Sequence, residues 1–78
     1  MKDVKVLGTG CSRCKVTMKL IEDVARDLGV EIAIEKVEDV QRIMAFGIMS
    51  TPGVVIDGKV VLSGRVPTRA VVASWLAT

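Results

Sequence analysis

Apolar residues recur along this chain in two distinct periods, and glycines and prolines separate the segments where each holds. Val4, Val6 and Leu7 make a short apolar run within Asp3–Leu7 that predicts a first strand. From Ser12 to Leu28 the spacing changes. Met18, Ile21, Val24, Ala25 and Leu28 recur at three and four, which predicts an amphipathic helix, and Gly29 marks its end. Over Val30–Glu35 the pattern returns to period two, apolar at Val30, Ile32 and Ile34, as in a strand with one covered face. Two strands joined by a helix through tight turns form a βαβ unit, so they are expected to be parallel. Glu38 to Phe46 predicts a short helix with Val40, Ile43 and Met44 on its apolar face and Gly47 at its end. Val54–Ile56 and Val60–Leu62 predict two strands around Asp57-Gly58, a strong hairpin turn signal. Thr68 is an N-cap candidate for a last helix, with Val71, Val72, Trp75 and Leu76 as its stripe.

The expected order is βαβαββα in one domain over residues 1–78. One four-stranded mixed sheet would carry the first and third helices on one face and the second on the other. The edges would be Val30–Ile34 and Val60–Leu62, with weak dimers left open and a monomer as the working expectation.

Composition sharpens this picture. The chain has 78 residues, of which 50% are apolar, and its only aromatic residues are Phe46 and Trp75. The core must be aliphatic, with Met18, Met44 and Trp75 expected to pack into it. The net charge is +2, with both signs interspersed and no basic cluster, which argues against nucleic-acid binding. No apolar run is long enough to span a membrane, and Met1–Lys5 carries no signal-like apolar region. A cytoplasmic protein is the expectation.

The only cysteines are Cys11 and Cys14, placed where the first strand gives way to the first helix. A helix start offers free N–H groups and the positive end of the dipole, which favour a thiolate. Two intervening residues bring the second sulfur within reach of the first. The ring they would close is too small to staple a fold. In a reducing compartment such a pair is catalytic or metal-binding. There is no histidine, so a Cys/His couple is impossible and a single-chain zinc site lacks half its usual ligands. The placement leaves redox proteins and soft-metal carriers. Gly8 and Gly10 are read as freeing the loop to turn and letting another chain approach the sulfurs.

Taken together, Gly8-Thr9-Gly10-Cys11, Thr51-Pro52-Gly53-Val54, Val55-Ile56-Asp57-Gly58 and Ser63-Gly64-Arg65-Val66-Pro67 resemble the small thioredoxin-like "redox-active disulfide protein" group of the thioredoxin/glutaredoxin superfamily. The resemblance runs over essentially the whole chain. It implies a thioredoxin-like α/β fold and a thiol–disulfide oxidoreductase with no cofactor. Its partners would be a disulfide-containing protein or small molecule and an unidentified reductase as electron donor. Cys11 matches the attacking cysteine and Cys14 the resolving one. Pro52 matches a cis-proline beside the disulfide, and Thr51 the residue whose backbone pairs with substrate. A cis bond there would also keep a metal off both sulfurs. Gly10, Ser12, Arg13 and Met49 complete the expected substrate rim, and no metal ligand is assigned.

The chain departs from its larger relatives in several places. Ser12-Arg13 replaces their Gly-Pro or Pro-Tyr, and Gly10 stands where thioredoxin has tryptophan. Lys5 replaces thioredoxin's buried acid. Gly64-Arg65-Val66-Pro67-Thr68 lacks the Gly-Gly and acidic residue of glutathione-binding glutaredoxins, which argues against glutathione. Arg13 is read as favouring the thiolate or steering acidic partners, and Lys15 as simply exposed. A metal or metalloid carrier using the same sulfurs is the alternative. Its usual βαββαβ order, and the apolar residue two before the first cysteine, are both absent here. A redox-regulated interaction domain is a third possibility.

Overall fold

The computed structural model describes residues 2–8, 12–48 and 50–77. Its elements are β1 (Lys2–Leu7), α1 (Ser12–Leu28), β2 (Ile32–Val37), α2 (Val40–Ala45), β3 (Gly53–Ile56), β4 (Lys59–Ser63) and α3 (Arg69–Leu76). They form a thioredoxin-like α/β fold, with sheet order β2-β1-β3-β4. β1 pairs with β2 in parallel and with β3 antiparallel, and β3 pairs with β4 antiparallel.

Alternation along the strands splits the core in two. Val4, Val6, Val54, Ile56 and Leu62 pack against Cys14, Ile21, Val24 and Ala25 of α1 and Val72 and Leu76 of α3. On the other face Leu7, Val37 and Val55 meet Ile43 of α2 and Ile48, with half-buried Phe46 beside them. β3 is buried along its whole length because both faces are covered.

Local chemistry sets the ends of the elements. Gly29 adopts φ +68°, donates to the Arg26 carbonyl at 3.2 Å, and lets Val30 donate to Ala25 at 2.9 Å. This is a Schellman closure of α1, and it explains why β2 begins at Ile32 and not at Val30. The Val30 N–H is already committed to the helix end. Asp39 caps α2 through the Gln41 N–H, and Thr68 caps α3 through that of Val71. Asp57 and Gly58, at φ +51° and +82°, make the hairpin turn. In β4, Val55 faces Val60 and Val54 faces Leu62, so Val61 is a bulge.

Several apolar positions are not where periodicity puts them. Met44 is 68% exposed and Val40 56% exposed, so neither is core. α2 has only six residues and buries Ile43 alone, while Phe46 and Ile48 fill the rest of its face. Leu28, 48% exposed, ends α1 where the chain turns away. Val71 is also exposed, at the rim of a groove beside β4. Met18 and Trp75 are half-buried and pack on the larger cluster. Thr17 is fully buried in the apolar face of α1, a position the period count passes over. Its Oγ1 donates to the Arg13 carbonyl at 2.8 Å, so the hydroxyl is satisfied inside its own helix.

Among the described residues no helix is long and apolar enough to cross a membrane. Burial separates two substitutions that look alike in sequence. Ile21→Ala removes a fully buried side chain and is expected to cost about 2–5 kcal/mol in urea denaturation. Met44→Ala, on the exposed face of α2, is expected to stay within about 0.5 kcal/mol.

Candidate active site

The site is built at one end of the sheet. Val37, Leu7, Gly53 and Ser63 form a row across all four strands, and the chain beyond each enters the same end of the molecule. Gly8 continues β1, held by its N–H to the Val37 carbonyl at 2.9 Å. α1 then begins at Ser12 and presents its N-terminus here.

Cys14 lies in the first turn of α1 and is fully buried. Its Sγ is within 4.0 Å of the Leu7 carbonyl oxygen, which accepts a long sulfur hydrogen bond from it. A Cβ built on Gly8 would overlap that Sγ and would lie 3.6 Å from the Thr51 Cβ. Gly8, Cys14 and Thr51 therefore share one contact point. Sequence reasoning assigned Gly8 to loop freedom, but its described role is different. The sulfur of Cys14 occupies the space a side chain at position 8 would need.

The Thr51–Pro52 bond is cis. Thr51 is half-buried and Pro52 buried. The Pro52 carbonyl accepts from the Gly64 N–H at 3.0 Å, which ties the end of β4 to this loop. Gly64 has φ +83°, and a Cβ there would stand 3.2 Å from that of Ser50. Gly64 belongs to the Ser63-Gly64-Arg65-Val66-Pro67 motif that the sequence offered, without a place in the site; Ser50 is a neighbour of the site that carried no signal of its own.

Ser12 and Arg13 are exposed on the first turn of α1, beside buried Cys14. Lys15 is exposed as well. Lys5 occupies the opposite face of β1 from Val4 and Val6, on the α2 side, with its ammonium 2.6 Å from Asp3 Oδ2. The lysine in place of thioredoxin's acid thus has its charge answered away from the cluster that holds Cys14. The expected site residues Cys11, Gly10 and Met49 lie outside the described residues. Among the described residues, no three histidine, cysteine or acidic side chains gather as a metal cage would require.

The family model described as "Thioredoxin domain" matches residues 2–77. A thioredoxin of Methanothermobacter thermautotrophicus is 29% identical over 69 residues, covering 88% of this chain and 90% of that protein. Two thioredoxins of Methanocaldococcus jannaschii are similar as well. One is 34% identical over 83% of this chain and 74% of its own length. The other is 32% identical over 76% and 72%.

The Gly8–Cys14 contact yields a double-mutant test. Gly8→Ala is expected to destabilise the protein by about 1–3 kcal/mol, because the added methyl must displace a packed sulfur. In the Cys14→Ala background the same change is expected to lose most of that cost. Urea denaturation of the four proteins gives the coupling directly.

Proposed function

The chain belongs to the thioredoxin family, and we propose that it is a small thiol–disulfide oxidoreductase of the protein-disulfide reductase type. It would work through reversible formation of a Cys11–Cys14 disulfide. The observation that carries this reading is the seating of Cys14. Its sulfur is buried against Gly8 and beside Thr51, at the N-terminus of α1, three residues after another cysteine. A solvent-shielded thiol suits a resolving group, and Cys11 is left as the one that meets substrate.

Cys11 thiolate attacks one sulfur of a substrate disulfide. A mixed disulfide forms and the first substrate thiolate departs. Cys14, as thiolate, then attacks the Cys11 sulfur. The second substrate thiolate leaves and the Cys11–Cys14 disulfide closes. Two electrons pass to the substrate, its two thiolates take up two protons, and a separate reductase restores the dithiol. Ser12, Arg13, Thr51 and Pro52 form the rim that substrate meets. Gly10 and Met49 are assigned to that rim on the sequence alone. No cofactor is required. The chain is taken to act as a monomer in the cytoplasm, where a reducing environment keeps the pair available. Family membership favours this redox use of the pair over the soft-metal carrier.

The experiment is thiol trapping. Cys11→Ser is expected to abolish disulfide reduction with dithiothreitol as electron source. Cys14→Ser is expected to accumulate a mixed disulfide on Cys11, visible by mass spectrometry. The wild-type pair is expected to titrate as one two-electron couple between about −200 and −300 mV. Full activity in the Cys11→Ser protein, or no intramolecular disulfide under mild oxidation, would overturn the proposal.

A further inference from the structure

Ion pairing is uneven over the surface. Lys5, Arg26, Lys36, Arg42 and Arg69 each face a carboxylate. Among the described residues the other six, Lys2, Arg13, Lys15, Lys19, Lys59 and Arg65, do not, and of these Arg13, Lys15 and Arg65 are exposed on the segments that border the site. Arg13 and Lys15 flank Cys14 in sequence, on the first turn of α1. Arg65 follows Gly64, whose N–H is bonded to the Pro52 carbonyl. One cation therefore stands on each side of the site, Arg13 on the helix and Arg65 past the end of β4. Two acids that follow the end of β2 are already engaged. Glu38 faces Lys36 at 3.6 Å, and Asp39 accepts the Gln41 N–H.

Arg65 also borders two grooves. One, of about 220 Å³, is closed by Leu62, Val66, Pro67, Thr68 and Val71. The other, of about 460 Å³, runs along the open edge of β4 beside Val60, Val61, Leu62 and Ser63. An uncompensated guanidinium next to an aliphatic hollow suits a polypeptide that carries a carboxylate beside an apolar side chain.

Building on the oxidoreductase reading above, we infer that this site selects disulfides in acidic polypeptide segments. Arg65 receives a carboxylate near the substrate cysteine, and the groove between β4 and α3 takes a neighbouring aliphatic side chain. Each turnover moves two electrons and two protons from the Cys11–Cys14 dithiol to the peptide disulfide. It leaves two peptide thiols and a Cys11–Cys14 disulfide, which dithiothreitol reduces.

The test uses the full chain and two symmetric peptide disulfides. Each peptide has one cysteine next to a leucine, flanked in one by glutamates and in the other by lysines. Neutral hydroxyethyl disulfide is run in parallel, with uncatalysed reduction by dithiothreitol subtracted throughout. At low salt kcat/KM is expected to favour the glutamate peptide by about tenfold or more. The ratio is expected to shrink toward one in about 0.5 M salt. Arg65→Glu is expected to lower the ratio severalfold. A wild-type ratio near one, or a ratio untouched by Arg65→Glu, with hydroxyethyl disulfide still turned over, overturns the selectivity and leaves the oxidoreductase reading standing. If the wild type reduces none of the three, that reading falls and the selectivity falls with it.

Discussion

The sulfur of Cys14 fills the space that a side chain at position 8 would need, and the arrangement of the site follows from that contact. β1 is a central strand with neighbours on both sides, so where it ends is set by the sheet. Gly8 is fixed by its bond to Val37. With no side chain at position 8, the first turn of α1 comes down on the strand end and Cys14 reaches the core. A larger residue would lift the helix start. Cys14, the dipole end and the loop bearing Pro52 would then no longer share one place. Close packing of this kind is discrete: a methyl group either fits or displaces its neighbour.

The loop at Thr51–Pro52 is held from the far side. β3 begins at Gly53, against Leu7 on one side and Ser63 on the other. A Cβ on Gly53 would come 2.6 Å from Ile48 Cδ1, so this glycine lets the segment after α2 fold tightly under the strand. Gly64, bonded to Pro52, closes the other flank. Glycines at 8, 53 and 64 thus border one site: Gly8 where the Cys14 sulfur stands, Gly53 against the tip of Ile48, and Gly64 in the left-handed region at φ +83°.

Much of the fold was legible because the signals were local. Period changes gave the order of elements, Gly29 and Gly47 ended helices, Asp57-Gly58 turned the hairpin, and Thr68 capped α3. Cys14 was legible through its spacing from Cys11. Other features depended on what stands opposite in three dimensions. Met44 and Val40 carry an apolar pattern with no wall to meet, because Ile48 and Phe46 had already filled the α2 face. Val30 fits a strand period, yet its N–H was claimed by Ala25. The reason for Gly8, and the bond from Gly64 to Pro52, lie in contacts between distant segments that no single periodicity window contains.

The two sides of the sheet are held by very different amounts of material. α1 alone contributes five buried side chains, whereas α2 contributes only Ile43. Detaching α2 surrenders little apolar contact, while detaching α1 dismantles the larger cluster. Local opening therefore has a built-in direction. The backbone amides of α2 are expected to exchange before those of β1 and β3, which lie between the two clusters. The face that carries α1 and Cys14 is thus expected to stay assembled when the opposite face opens.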